Sequence, residues 1–142
     1  MPENTAPQVI AGVSDLLFTS KISETARLLR ISVGFAGSQE ALFRKASQVP
    51  RLIILDLNLK PLDPLALIRD LKGNPDLAEV PITAFVNHEC ADLIEAARQA
   101  GCDAVLTRGA FSSGLPKILG GVAGQPQGKP HPPGSKSDRP SR

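Results

Sequence analysis

Two carboxylates and a guanidinium stand just past the ends of three apolar segments in this 142-residue chain. Asp56 closes the run Leu52–Ile53–Ile54–Leu55, and Asn58 follows two residues later. Ser14 and Asp15 follow QVIAGV (8–13), and Arg108 follows DAVLT (103–107). A fourth segment, VPITAFV (80–86), is succeeded by Asn87 and His88. Carboxylates brought close together repel unless a cation lies between or beside them. A hard divalent ion such as Mg2+ suits such a place, held by one or two carboxylates, a backbone carbonyl and waters. Arg108 could fill part of that role without metal.

These residues meet only if the segments lie side by side with the same polarity, and the rest of the chain argues that they do. The spacing predicts a helix over 16–31, with Phe18, Ile22, Ala26 and Leu29 on one face. A weaker strand over 32–37 follows, then a helix capped by Ser38 that runs through Leu42, Phe43 and Ala46. Asp63–Pro64 is a helix start, with Leu65, Ile68 and Leu71 as the apolar stripe and Asn74–Pro75 as the break. A fourth helix through Leu93, Ala96, Ala97 and Ala100 ends at Gly101, and a short fifth over 111–119 stops at Gly120–Gly121. Strands that alternate with helices through short connections form right-handed units around a parallel sheet. Such a sheet is covered on both faces, which accounts for the unbroken apolar run before Asp56. Ligands of an open parallel sheet bind beyond the carboxyl ends of its strands, where Asp15, Asp56 and Arg108 all fall.

The composition sets bounds. Five Phe, no Trp and no Tyr leave the core to Leu, Ile, Val and Ala. No stretch is long and apolar enough to cross a membrane, and MPENTAPQ lacks the pattern of a secretory signal, so a cytoplasmic protein is expected. Cys90 and Cys102 form no metal-ligand pattern and read as reduced packing residues. Four cations against one carboxylate after residue 121 give that segment +3, which leaves the remainder near −1 out of a formal +2. That balance argues against a nucleic-acid-binding domain. The sequence thus divides into a flexible lead-in (1–7), one domain (8–120) and a Pro- and Gly-rich tail (121–142) expected to be disordered.

The layout over about residues 8–119 resembles the receiver (CheY-like) domain of bacterial two-component response regulators. The matching stretches are LIILDLN (52–58), PITAFVN (81–87), AGCDAVLTR (100–108) and the Pro61–Pro64 turn. The resemblance implies a flavodoxin-like α/β fold: a doubly wound three-layer sandwich whose five-stranded parallel sheet has the order 2-1-3-4-5. It implies that Asp56 accepts a phosphoryl group, and that Asp15, Asp56 and the backbone carbonyl of Asn58 hold Mg2+. Arg108 stands where the family has lysine. The implied partner is a histidine kinase or another signalling protein, with no membrane and no DNA-binding domain, and the chain is expected not to be an enzyme.

Departures from the family pattern are as informative. Ser14 replaces one acid of the family's pair, Val86 stands at the switch hydroxyl, Val105 at the switch aromatic and Gly109 at a proline. Valine cannot donate the hydrogen bond by which that hydroxyl draws the loop inward, so Asn87 or His88 becomes a candidate substitute, which spacing alone does not decide. Two functions follow: a stand-alone module of a phosphorelay that signals by protein contact, or a phosphorylation-independent pseudo-receiver that acts as an interaction module. Asp15 could instead only cap the first helix, Arg108 only form a static ion pair and His88 only be solvated. A haloacid-dehalogenase-like hydrolase is disfavoured, because its DxD pair would read Asp56 and Asn58, and GxSxG, P-loop and GxGxxG motifs are absent.

Overall fold

The computed structural model describes residues 7–58, 63–87 and 91–123. The expectations for the lead-in before residue 7, the turn at Pro61, His88, Cys90 and the tail from 124 lie outside the described residues. Among the described residues five strands alternate with five helices: β1 (Val9–Gly12), α1 (Leu16–Leu29), β2 (Val33–Phe35), α2 (Gln39–Ala46), β3 (Leu52–Asp56), α3 (Pro64–Gly73), β4 (Ile82–Val86), α4 (Ala91–Ala100), β5 (Ala104–Thr107) and α5 (Arg108–Ala123). The strands form one parallel sheet in the order β2-β1-β3-β4-β5.

β3 lies at the centre, and all five of its residues are buried. Successive side chains of a strand point to opposite faces, and each face has its own core. Ile53 and Leu55 join Leu42, Leu67, Ile68, Leu71, Ala84, Val86 and Ala97, beneath α2, α3 and α4. Leu52 and Ile54 join Phe18, Ile22, Phe85, Phe111 and Leu119, beneath α1 and α5. By the same alternation Asp56 faces the α1 and α5 side, and its register partner across the sheet is Phe85.

Local chemistry sets the helix ends. The Asp15 carboxylate caps α1, and the helix closes at Arg30, which adopts a left-handed φ of 61° while the Ile31 N–H donates to the Ala26 carbonyl. Ser38 caps α2, and Asp63 caps α3 with Pro64 in the first turn. The buried residues of α3 are Leu67, Ile68 and Leu71, and Leu65 packs half-buried on the same core, so the expected stripe meets the sheet with Leu67 added to it. Gly101 has a φ of 115°, a left-handed turn after α4.

The largest difference from expectation is α5. It begins at Arg108 without a loop, because the Thr107 hydroxyl accepts the Ala110 N–H at 3.2 Å. It also runs through Gly120 and Gly121 to Ala123. A glycine costs a helix only about 1 kcal/mol against alanine. Burial of Leu119 and Val122, on either side of the pair, outweighs that cost.

Candidate functional site

Three strand tips converge. β1 delivers Asp15 through the short Val13–Ser14 link, β3 ends in Asp56, and β5 passes directly into α5 at Arg108. The guanidinium stands between the two acids. Its Nη2 donates to Asp15 Oδ2 at 3.0 Å, and its Nη1 lies 3.7 Å from Asp56 Oδ2. The planar fork of arginine is thus divided between two carboxylates, which a point-charge ammonium would serve with different geometry.

A platform below the guanidinium fixes it. Its carbon lies 4.4 Å from the centre of the Phe18 ring and 5.4 Å from that of Phe85. The two rings stack at 4.9 Å, and Phe85 stacks on Phe111 at 4.5 Å. A cation over aromatic faces gains about 0.5–2 kcal/mol, more as water is excluded. The sequence reading did not link these phenylalanines to the site. The signal was available: Phe18 lies one helical turn beyond Asp15, and Phe85 immediately precedes the end of β4.

Asp15 caps α1, as one reading of it expected, and it also pairs with Arg108. Oδ1 accepts the N–H groups of Leu17 at 2.8 Å and Phe18 at 3.3 Å, and Oδ2 takes the arginine. Asp56 is nearly closed off from solvent, at 5% exposure, and its Oδ1 accepts the Asn58 N–H at 2.9 Å. Burial raises its carboxyl above the ordinary aspartate value. The Asn58 N–H and the Arg108 charge pull it back, and the Asp15 charge pushes it further up. Desolvation is the largest of these effects, and the guanidinium stands 3.7 Å from Asp56 against 3.0 Å from Asp15.

The other positions singled out by sequence are spread around this centre. The Asn58 side-chain oxygen accepts the Asn87 N–H at 3.1 Å, which ties the β3 and β4 ends together. Val86 is fully buried and packs with the α2, α3 and α4 core, on the opposite face of the sheet from Asp56. Val105 is half-buried in β5 and packs on that same core. Ser14 is exposed. Cys102 is buried, with its thiol directed at the Ile82 and Ala104 carbonyls, a packing role.

Known proteins share this arrangement of elements. The response regulator Rcp1 of Synechocystis is 29% identical over 111 residues, which cover 78% of this chain and 76% of that protein. No protein-family model matches. The phosphorylated cyanobacterial phytochrome response regulator RcpA superposes with a TM-score of 0.69 at 20% identity, covering 83% of this chain and 91% of its own. The receiver domain of the Pseudomonas aeruginosa sensor histidine kinase PA1611, with magnesium in its active-site cleft, gives 0.71 at 20% identity, covering 85% and 100%. By fold the chain is similar to receiver domains, and by sequence to the response regulator Rcp1. The receiver-like sheet order and its alternating helices are those of the CheY-like, flavodoxin-like class.

The family resemblance implies Mg2+ held by Asp15, Asp56 and the Asn58 carbonyl. Among the described residues no cluster of three or more acids, histidines or cysteines stands ready for a metal. Asp15 has both oxygens engaged, Ser14 supplies no charge, and a guanidinium already lies against both acids. Two unit charges ~4 Å apart interact by about 4 kcal/mol at an effective dielectric of ~20, and a divalent ion doubles that repulsion. The described residues therefore do not suit a divalent ion while Arg108 stays in place.

Proposed function

We propose that this receiver-like domain is a signalling module that accepts a phosphoryl group on Asp56 and acts by protein contact, with a histidine kinase or another signalling protein as its partner. The observation that carries this reading is the Asp56 carboxylate at the tip of β3 with the Arg108 guanidinium facing its Oδ2. An ionised oxygen of Asp56 attacks phosphorus. The O–P bond forms as the P–N bond of the donor phosphohistidine breaks, and the imidazole nitrogen leaves with the electron pair. Such transfer is mostly positioning and charge stabilisation, and Arg108 supplies the positive charge beside the acceptor. A divalent ion at Asp15, Asp56 and the Asn58 carbonyl, as the resemblance implies, would first have to displace that guanidinium. The phosphorylated state of RcpA, which has the same fold, supports the reading. In this role the chain is an acceptor and not a catalyst of turnover. Leu16 and Leu17, largely exposed directly after Asp15, offer a partner apolar contact next to the rim.

A second reading is favoured by Val86. It is fully buried, carries no hydroxyl and faces away from Asp56, so the usual route from phosphoryl group to loop movement is missing. A phosphorylation-independent pseudo-receiver would bind its partner through the same surface regardless of Asp56. Incubation with acetyl phosphate, read by intact mass in the native chain and in Asp56→Asn, separates the two. A single phosphoryl adduct lost in the variant supports the acceptor; no adduct in the native chain leaves the pseudo-receiver.

A further inference from the structure

We propose that Arg108 is a built-in counter-cation that takes the place of a divalent ion, so that the native chain binds Mg2+ or Mn2+ feebly and gains that binding when the guanidinium is removed. This rests on Asp15, Asp56 and Arg108 forming the functional site, and it holds whether or not Asp56 is ever phosphorylated.

Arginine keeps its charge at every ordinary pH, unlike a buried lysine, so the neutralisation is permanent. The fork reaches both acids at once, through Nη2 to Asp15 and Nη1 to Asp56. Phe18 and Phe85 lie against its guanidinium, so leaving the pocket means abandoning an aromatic platform as well as two carboxylates. The remaining oxygens are spoken for as well: Asp15 Oδ1 closes the first turn of α1, and Asp56 Oδ1 holds the Asn58 amide. With Arg108 replaced by a neutral residue, Asp15 and Asp56 would face one another uncompensated, and a pair of carboxylates is what a hard ion takes.

The test is a titration of the full chain with Mn2+, following paramagnetic broadening of backbone amide signals around residues 14–17, 56–58 and 107–109. The native chain, Arg108→Gln, and Arg108→Gln combined with Asp15→Asn are compared, with amide dispersion reporting that each is folded. Arg108→Gln is expected to bind about tenfold or more tightly than the native chain, the scale of a typical coupling between sites, and the double variant to lose the gain. Selective broadening in the native chain at the same Mn2+ concentration as in Arg108→Gln overturns the proposal. Should Arg108→Gln unfold, Phe18→Leu, which keeps the charge and removes the nearer ring of its platform, carries the test: tighter Mn2+ binding than native is expected, and unchanged binding overturns the proposal. An absent phosphoryl adduct alongside a Mn2+ gain in Arg108→Gln would sink the acceptor reading and leave this inference intact; an adduct with no gain would do the reverse.

Discussion

The guanidinium of Arg108 lies 4.4 Å from the centre of the Phe18 ring while the same group donates to Asp15 at 3.0 Å. Phe18 is therefore part of the electrostatics of the site as well as of the core beneath α1. A double-mutant cycle of Phe18→Leu and Arg108→Met, followed by urea unfolding, should show a coupling of about 0.5–2 kcal/mol. Additivity within error would mean that ring and charge do not interact.

Asp56 carries a carboxyl raised by burial, and the sign of its effect on stability follows. Its folded value lies above its unfolded one, so between the two the folded state holds the extra proton. Stability is then highest below the unfolded value, falls as pH rises, and reaches its low plateau above the folded value. Asp56→Asn should unfold at a higher temperature than the native chain at neutral pH. The gap should close as pH falls through the carboxylate range. A variant less stable at neutral pH would show that the Arg108 contact outweighs desolvation.

Asp15 serves two masters, and two substitutions separate them. Asp15→Ala removes both the cap of α1 and the partner of Arg108, and should cost about 1–2 kcal/mol in urea unfolding, mostly from the cap. Asp15→Ser keeps a capping oxygen but no charge and should recover most of that loss. Equal losses in both variants would assign the stability to the ion pair.

The architecture was legible because its signals are local and repeated. The apolar run 52–55 could only be a strand covered on both sides, and Asp63–Pro64 and Gly101 announced helix ends through their own backbone chemistry. The acids and the arginine of the site were legible for a different reason: a parallel sheet gathers the residues that follow its strands. The phenylalanine platform was hidden, because stacking depends on distances between α1, β4 and α5 that no local spacing encodes. The extension of α5 through Gly120 and Gly121 was hidden likewise, since burial of Leu119 and Val122 against the sheet overrules local propensity.

Val86 offers a test of how closed the β4 end is. Val86→Thr places a hydroxyl among the apolar groups beneath α3 and α4, and should cost about 1–3 kcal/mol on thermal or urea unfolding, the cost of burying an unpaired hydroxyl. A neutral effect would mean that the loop opens enough for the hydroxyl to find water or a partner.

The acceptor role of Asp56 is tested most directly by locating the modified residue. The native chain is treated with acetyl phosphate, any acyl phosphate is reduced with borohydride, and the products are mapped by peptide mass spectrometry. The account predicts a reduced side chain at position 56 and at no other carboxylate. An unmodified Asp56, or modification at Asp15 or elsewhere in its place, would contradict it.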